Sequence, residues 1–595
     1  MMGQQLGWTL EQWRQAYSSE RLSPREALHS LRAELRGDDP AWIHIVSPGE
    51  LDQQLERLEA LPDARALPLY GIPFVVKDNI DVAGLPTTAA CPAFSYIAAQ
   101  DATSVARLRA DGAIVLAKTN LDQFATGLVG TRSPYGAVPN PFNPAHVSGG
   151  SSSGSAVAVA RGLVPFSLGT DTAGSGRVPA GFNNIVGLKP TRGRFSTHGV
   201  LPACRTLDCV SVFALTVEDA QTIAGILEGH DPADCYSRSA PLPARFPGDR
   251  PWLGIPRELP WFGDTQAQAA WEASLENIRR MGVELLELDF TPMRELAELL
   301  YGGPWVAERY AAIGPFFDQH AAEMNPVVRG ILSRASEFSA VDSFQAEYRR
   351  AELTARIRSE MARVDALLVP TAPTHPTLEA VAADPVARNS ELGTWTNFVN
   401  LADCAALSLP AGWRADGLPF GITLIAPAWQ DDALAELARR WQTHAPWTLG
   451  ATGKACQPST AGTEVPPGYT RVAVVGAHLR GMPLNGQLTE RHAHFVEQTF
   501  TASHYRLYAL PGTTPPKPGL VRSSQGASIA LELWDIPTHE FGSFVALIPA
   551  PLGIGTLTLQ DGREVKGFIC EGAAVEGAVD ITHLGGWRAY IALRN

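Results

Sequence analysis

The sequence predicts an α/β domain, in which helices flank a mixed central β-sheet, followed by a smaller α+β domain. Three observations predict this fold class. Short apolar runs alternate with segments of helical periodicity up to about residue 445. Residues 451–470 are rich in Pro, Gly, Ser and Thr and have no periodic apolar pattern, whereas short β-like runs follow them. We therefore expect a large domain over 1–450, a linker over 451–470 and a second domain over 471–595.

The large domain is predicted to begin with helices, because residues 1–65 carry apolar positions at helical spacing. A Ser-, Gly- and Ala-rich stretch, 151–186, then separates two strand–helix units. The apolar runs that predict buried strands lie at 71–76, 113–117, 283–289, 366–370 and 421–426. The periodic segments that predict helices between the later strands lie at 265–281, 342–363 and 431–445.

The second domain is predicted to open with a strand and a glycine turn in RVAVVGAHLRGMPLN. The four β-like runs that follow are HYRLYAL (504–510), SIALELWDI (528–536), SFVALIP (543–549) and GTLTLQDG (555–562).

Composition excludes several classes of partner. The chain has 61 acidic and 48 basic residues, a net charge of −13, which disfavours a nucleic-acid or anionic-membrane partner. Its seven cysteines are scattered without metal-ligand spacing. The N-terminus shows no signal-peptide pattern, and no apolar run approaches the roughly 18 residues that span a bilayer. We expect a cytoplasmic protein with reduced thiols that uses no metal and no organic cofactor.

Three stretches carry residues suited to chemistry: VVKDN (75–79), SGGSSSGSAVAVA (148–160) and GTDTAGSGRVPAGFNNIVGLKPTRG (169–193). Alone, a lysine that ends a strand is usually solvated, and a Gly/Ser-rich run is usually a flexible loop. The second stretch, however, continues directly into Ala/Val-rich helical sequence. The third combines Asp171 and Arg177 with glycines on both sides of Ser175, and glycines allow the close backbone approach that an anion hole requires.

These stretches resemble the signature of the amidase signature family, and the resemblance covers roughly residues 20–445. By position, the general base of the family falls on Lys77, its bridging serine, which follows a cis peptide bond, on Ser151, and its nucleophile on Ser175. The resemblance therefore implies an amide hydrolase with the amidase signature fold.

The residue types suit that chemistry. A serine hydroxyl is a weak nucleophile until a base takes its proton. Lysine acts as a base only when neutral, so its pKa must fall well below roughly 10.4, as burial would cause. Because a nearby carboxylate would raise that pKa, we predict that Asp78 faces away from Lys77. The backbone N–H groups of residues 172–174 (Thr172, Ala173 and Gly174) are the candidates for holding the oxyanion.

A competing interpretation is that Gly150–Gly154 forms the G-x-S-x-G elbow of α/β-hydrolases. That fold requires a catalytic histidine later in the chain. His320, His375 and His444 lie in no recognisable catalytic context. The longer three-part pattern favours the amidase interpretation.

Two segments resemble allophanate hydrolases within this family. The variant TAGSGRVPAGFNN departs from the commoner TGGSIR form, and YGGPWVAERY (301–310) resembles their substrate-contact segment. Tyr301 and Arg309 are eight residues apart, a little over two helical turns, and could face one pocket. Arg309 would bind a small carboxylate through paired hydrogen bonds.

Residues 471–590 resemble the C-terminal domain of allophanate hydrolases, which is similar to gamma-glutamylcyclotransferase-like folds. The resemblance implies that this domain handles the N-carboxycarbamate product or stabilises the assembly. His478, beside the glycine turn, is the candidate site residue, and a purely structural histidine is the alternative.

The expected activity is hydrolysis of the small molecule allophanate (urea-1-carboxylate) to ammonia and carbon dioxide through an acyl-enzyme on Ser175. The substrate would come from urea carboxylation or from s-triazine breakdown through biuret. The resemblance implies at least a homodimer, with a urea carboxylase or a biuret hydrolase as an associated protein. The alternatives are the glutaminase component of a tRNA-dependent amidotransferase, a broad-range amidase, and an inactive amidase that serves as a binding module.

Overall fold

The computed structural model describes residues 5–594 except residues 62, 242, 243, 245, 247–249, 446, 457–464, 466 and 467. The chain divides near residue 460 into two compact units. The predicted linker lies partly outside the described residues, since 457–464, 466 and 467 fall within it. Among the residues described, no helix combines the length and the apolar character needed to cross a membrane.

Side-chain caps explain where the first helices of the large unit begin. The hydroxyl groups of Thr9, Ser23 and Ser47 each accept a hydrogen bond from a backbone N–H in the first turn that follows. The helices of this unit are α1 (Leu10–Ser18), α2 (Pro24–Glu34), α3 (Pro48–Glu59), α4 (Thr103–Ala110), α5 (Ser153–Ala160), α6 (Val178–Phe182), α7 (Val217–Leu227), α8 (Thr265–Arg280), α9 (Thr291–Gly302), α10 (Trp305–His320), α11 (Pro326–Ser333), α12 (Ala340–Met361), α13 (Leu378–Ala383), α14 (Ala387–Leu392), α15 (Asn397–Leu401) and α16 (Asp431–His444).

Most strands of the large unit belong to one twisted sheet. The strands are β1 (Trp42–Ile45), β2 (Pro73–Lys77), β3 (Pro86–Thr87), β4 (Tyr96–Ile97), β5 (Ile114–Thr119), β6 (Phe166–Asp171), β7 (Val186–Lys189), β8 (Cys209–Ala214), β9 (Trp252–Pro256), β10 (Glu284–Leu288), β11 (Ala366–Pro370), β12 (Cys404–Trp413) and β13 (Pro419–Pro427). In the part of the chain that is described, the sheet has the order β1-β5-β2-β6-β8-β7-β12-β13-β11-β9-β10, and β3 pairs with β4 separately.

The sheet is mixed, as predicted. Strand β2 pairs in parallel with β5 and β6, and β9 pairs in parallel with β10 and β11. The other neighbours are antiparallel. Each strand and helix predicted from residue 71 to residue 445 is present, with ends shifted by no more than three residues.

Two expectations for the large unit are wrong. Residues 1–65 are not all helical, because Trp42–Ile45 form an edge strand that pairs with β5. The stretch 151–186 is not a separator: it supplies α5, β6 and α6, and β6 lies in the sheet interior between β2 and β8. Its small residues permit close packing there, since every residue of β6 is buried.

The second unit contains two sheets and three short helices in the residues described. A five-stranded sheet has the order β15-β18-β14-β20-β19, and a three-stranded sheet has the order β17-β16-β21. The elements are β14 (Tyr469–Val474), α17 (Gly486–Thr489), β15 (His494–Phe500), β16 (Tyr505–Ala509), β17 (Pro518–Arg522), β18 (Ala530–Pro537), α18 (Thr538–Val545), β19 (Leu552–Thr558), β20 (Glu564–Cys570), β21 (Val579–Asp580) and α19 (Trp587–Ala592).

One predicted strand of the second unit is wrong. SFVALIP begins within helix α18, not in a strand. Phe541, Phe544 and Ile548 are spaced three and four residues apart, and all three belong to the apolar core of this unit. That helical period outweighs the local β-propensity of the run.

Candidate active site

Lys77 is the last residue of β2 and is fully buried. Its Nζ donates to Ser151 Oγ at 2.8 Å and to Thr170 Oγ1 at 2.7 Å. Burial lowers the pKa of Lys77 to about 7, although the negative charges of Asp122, Asp208 and Asp171 act in the opposite direction. A substantial fraction of this amine is therefore neutral near neutral pH, as a general base requires.

Asp78 points away from Lys77. Its Oδ1 lies 3.2 Å from Lys118 Nζ in a fully buried ion pair. Its Oδ2 accepts from the backbone N–H of Thr88 at 2.8 Å and from the Thr88 hydroxyl at 2.5 Å. The prediction made for this carboxylate is confirmed, and the alternation of side chains along a strand explains it.

Ser151 follows a cis peptide bond with Gly150, as the family resemblance implies. Asp122 organises the backbone around it. The Asp122 carboxylate accepts hydrogen bonds from three backbone N–H groups within 129–132 at 2.9 to 3.2 Å, and the Asp122 N–H donates to Ser151 O at 3.0 Å. The serine therefore lies in a loop that is held by a buried carboxylate.

Ser175 lies in the turn between β6 and α6 and is only 3% exposed. The turn wraps around a buried ion pair between Asp171 and Arg177, with N–O distances of 2.8 and 2.9 Å. The Asp171 carboxylate also accepts from the N–H groups of Gly174 and Gly176, each at 2.9 Å. Asp171 thus fixes the backbone on both sides of the predicted nucleophile.

The structure brings Lys77 and Ser151 into direct contact, and Thr170 of the strand that leads to Ser175 contacts the same amine. Within the described residues, no hydrogen bond links Ser175 to Lys77 or Ser151 in this ligand-free structure. Catalytic hydrogen bonds are often long before substrate binds, so this separation does not exclude a proton relay.

The three predicted oxyanion donors differ in their present partners. The Gly174 N–H is occupied by Asp171. The N–H groups of Thr172 and Ala173 have no protein acceptor among the residues described. The Thr172 hydroxyl donates to Asp208, whose carboxylate also accepts from backbone N–H groups of the turn that precedes it. Burial raises the pKa of Asp208 to about 6.

Tyr301 and Arg309 meet, but not in the way the sequence predicts. They do not share one helix, because the chain breaks at Gly303 and Pro304 between α9 and α10. The guanidinium of Arg309 nevertheless lies over the Tyr301 ring, 5.1 Å from its centroid, with one nitrogen 3.4 Å from the phenol oxygen. Arg309 is 3% exposed and also donates to Thr126 Oγ1 at 3.1 Å.

Sequence reasoning missed Thr126, Arg132, Asp122 and Asp208. Arg132 is buried and donates to the Thr126 carbonyl at 3.0 Å, so it contacts the same residue as Arg309. The only sequence signal for these residues is charge inside apolar or glycine-rich surroundings, which does not reveal what a side chain contacts.

The histidines of the competing elbow interpretation do not form a catalytic group with Ser151. His375 is buried, stacks on Phe182 with ring centroids 3.8 Å apart and hydrogen-bonds to the Val147 carbonyl. His320 and His444 hydrogen-bond within their own segments near the surface. No group of three or more His, Cys, Asp or Glu side chains in the described part of the chain is arranged to hold a metal ion.

His478 of the second unit lies beside a cavity of about 150 Å³. Its ring stacks on Phe568 at 4.9 Å, and its Nε2 lies 2.9 Å from the Gln487 side-chain oxygen. Burial lowers the pKa of His478, which keeps the ring neutral. Lys517 lines the same cavity and supplies a positive charge.

Two protein families match this chain. The Amidase family matches residues 38–435, and the allophanate hydrolase C-terminal domain matches residues 470–592. The urea amidolyase of Saccharomyces cerevisiae is 47% identical over 614 aligned residues, which cover 99% of this chain and 33% of that protein. The chain therefore spans about a third of the length of this curated relative.

Two further relatives are matched over nearly all of their own length. One polypeptide of the glutamyl-tRNA(Gln) amidotransferase from a Synechococcus strain is 32% identical over 73% of this chain and 97% of its own length. The crystal structure of an allophanate hydrolase from Kluyveromyces lactis superposes with a TM-score of 0.83 and 44% identity, covering 99% of this chain and 100% of that one. These matches and the mixed sheet confirm the predicted fold: the chain belongs to the amidase family, and an allophanate hydrolase C-terminal domain follows its amidase domain.

Proposed function

We propose that this chain is an allophanate hydrolase in which Ser175 is the nucleophile and neutral Lys77 is the base, acting through Ser151. The observation that carries the proposal is the 2.8 Å contact between the buried Lys77 amine and Ser151. The buried Arg309 supports an anionic substrate, because a buried guanidinium favours a carboxylate partner.

The first half-reaction forms the acyl-enzyme. Ser175 Oγ attacks the terminal carbonyl carbon of allophanate while its proton passes to Ser151 and the Ser151 proton passes to Lys77. The backbone N–H groups of Thr172 and Ala173 receive the oxyanion, and that of Gly174 joins them only if it leaves Asp171. The C–N bond then breaks, and the proton on Lys77 returns through Ser151 to the leaving amine, which departs as ammonia.

The second half-reaction consumes water. The same relay takes a proton from water, whose oxygen attacks the Ser175 ester and releases the serine. The product, N-carboxycarbamate, breaks down to carbon dioxide and a second ammonia. The carboxylate of the substrate lies against Arg309 throughout, with the Tyr301 hydroxyl as a further donor.

For the second domain we propose that His478 and its cavity handle N-carboxycarbamate. A neutral, buried imidazole beside Lys517 suits a small anion. The test is to follow ¹³C-labelled allophanate by NMR with the wild type and with His478→Ala. A longer-lived carboxycarbamate signal in the variant supports the proposal. Equal lifetimes with wild type assign His478 a structural role.

The proposal extends to the setting of the enzyme. We propose a cytoplasmic homodimer that works with a urea carboxylase, because its curated relative is named a urea amidolyase. A biuret hydrolase is the alternative supplier of substrate. We place the boundary between the amidase and C-terminal domains within 451–470, because the first family match ends at residue 435 and the second begins at residue 470.

The decisive experiment measures ammonia release from fresh allophanate beside malonamide, biuret, glutamine and an aromatic amide. Wild type is expected to prefer allophanate, Ser175→Ala to be inactive and Arg309→Ala to lose mainly substrate binding. Ser336→Ala and Arg36→Ala change exposed residues and serve as matched controls. A preference for glutamine favours the amidotransferase alternative. A preference for other neutral amides, unaffected by Arg309→Ala, rejects allophanate as the substrate.

A further inference from the structure

Two buried arginines converge on Thr126. Arg309 donates to its hydroxyl oxygen at 3.1 Å, and Arg132 donates to its carbonyl oxygen at 3.0 Å. Arg132 also donates to the carbonyl of Pro385 at 2.9 Å. Each arginine is 3% exposed. The Arg132 guanidinium is therefore fixed by two backbone carbonyls, one of which belongs to the residue whose hydroxyl contacts Arg309.

Neither arginine forms an ion pair with a carboxylate in the part of the chain that the structure describes. Asp122 is the acid whose charge acts most strongly on Arg132, but its oxygens accept backbone N–H groups within 129–132. The Nε atoms of Arg132 and Arg309 both lack an acceptor. Buried charges are normally paired, so this region has an excess of buried positive charge and unused donors.

The two cations also sense each other. Burial lowers the pKa of Arg132, and the positive charge of Arg309 acts in the same direction, whereas Asp122 and Tyr301 oppose it. Like charges held together in the ligand-free protein are relieved when an anion binds between or beside them. Such a region therefore favours an anionic ligand more than a single arginine would.

We propose that Arg132 is a positioning residue that, with Arg309, forms a two-cation site selecting amides that carry a carboxylate. This inference rests on the proposed function, in which Arg309 contacts the carboxylate directly. Arg132 acts through Thr126: it holds the Thr126 carbonyl so that the hydroxyl faces Arg309, and it adds positive potential. Its effect falls on the binding of anionic substrates, not on bond breaking.

The test uses a pair of substrates matched in shape and different in charge. Malonamate carries an amide and a carboxylate, and malonamide replaces that carboxylate with a second neutral amide. The values of kcat and KM are measured for both, and for allophanate, with wild type and three variants. Arg132→Met removes the charge at similar length, Arg132→Gln keeps a donor for the carbonyls, and Arg132→Lys keeps the charge.

A matched control is Arg414→Met. Arg414 is also a buried arginine of the large unit, but it is paired with Asp264 at 2.7 Å and with Asp416 at 2.8 Å. Its loss reports the general effect of removing a buried guanidinium and is expected to change both substrates by the same factor.

The expected result is that Arg132→Met and Arg132→Gln reduce the malonamate-to-malonamide ratio of kcat/KM about tenfold, chiefly through KM, and that Arg132→Lys restores most of it. Should Arg132→Met fail to fold, Arg132→Gln gives the same comparison. The proposal is overturned if the Arg132 variants reduce both substrates equally, as Arg414→Met does, or if Arg132→Lys behaves like Arg132→Gln.

These outcomes separate the inference from the proposed function. If wild type shows no preference for allophanate or malonamate, the proposed function itself fails. If wild type prefers them and Arg309→Ala abolishes the preference while Arg132→Gln leaves the ratio intact, only the role of Arg132 fails.

Discussion

Lys77 and Asp78 are consecutive in the chain, yet their side chains have separate partners. The Lys77 amine contacts Ser151 Oγ at 2.8 Å, and the Asp78 carboxylate lies 3.2 Å from Lys118 Nζ. Because alternate residues of a strand face opposite sides, the chain can place a buried ion pair next to a catalytic base without charging that base. The pKa of Lys77 is therefore governed first by burial.

The first prediction concerns the pH dependence of the reaction. Burial lowers the pKa of Lys77 to about 7, and a lysine serves as a base only when neutral. The value of kcat/KM for a substrate of constant charge is therefore expected to rise with pH through about 7 and then to level off. A pH–rate profile from about pH 5.5 to about pH 9 measures this.

The control for that profile is Asp208→Asn, because burial raises the pKa of Asp208 to about 6, near the same range. The limb near pH 7 is expected to persist in this variant and to disappear in Lys77→Arg, whose side chain stays protonated and whose rate falls roughly 10²-fold or more. A limb that moves with Asp208→Asn and not with Lys77 would assign the titration to Asp208 instead.

The second prediction is that Lys77→Met stabilises the protein while abolishing activity. The pKa of Lys77 is about 7 in the folded state and roughly 10.4 in the unfolded state, so between these values the unfolded chain binds the extra proton. The lysine therefore costs stability, fully below pH 7 and progressively less as the pH rises toward about 10. Thermal melts at pH 7 are expected to show a rise of a few degrees for Lys77→Met, shrinking at higher pH.

Lys118→Met is the matched control with the opposite sign. Lys118 is equally buried, but it is paired with Asp78, so its removal leaves a buried carboxylate without a counter-ion. Such a loss typically costs about 3–5 kcal/mol. If both lysine variants lower the melting temperature, burial is not the main influence on Lys77.

Local patterns and distant contacts differ in what the sequence reveals about this site. Lys77, Ser151 and Ser175 belong to continuous patterns, so the sequence identifies them as candidates. Thr126 and Arg132 act through contacts made when distant segments meet, and no local pattern shows where a buried arginine donates. Composition also misled for 151–186, because Gly and Ser are frequent both in linkers and where backbones pack closely, as β6 does.

The third prediction is that Asp171→Asn destabilises the large unit and slows acylation. The change leaves Arg177 buried without its counter-ion, which typically costs about 3–5 kcal/mol, and weakens the acceptors for the Gly174 and Gly176 N–H groups. Urea unfolding measures the first effect, and the burst of ammonia in a single turnover measures the second. Asp38→Asn breaks an exposed pair with Arg36 and is expected to change neither. Normal acylation in Asp171→Asn would show that this carboxylate does not organise the nucleophile turn.

The fourth prediction is that Gly150→Ala inactivates the enzyme by displacing Ser151. A Cβ at residue 150 would lie 2.1 Å from Asp122 Oδ2 and 2.6 Å from the Gly130 nitrogen, so the carboxylate and its loop must move. Overpacking of this kind typically costs about 1–3 kcal/mol, and the shift carries Ser151 away from the Lys77 amine. We expect soluble protein with a lower melting temperature and a kcat reduced by about 10²-fold or more. Gly49→Ala, in helix α3, meets no atom within 4 Å and is the control for adding a methyl group. A Gly150→Ala variant that is less stable yet fully active would mean that the position of Ser151 is not set by the Asp122 loop, and the relay through Ser151 would then need a different support.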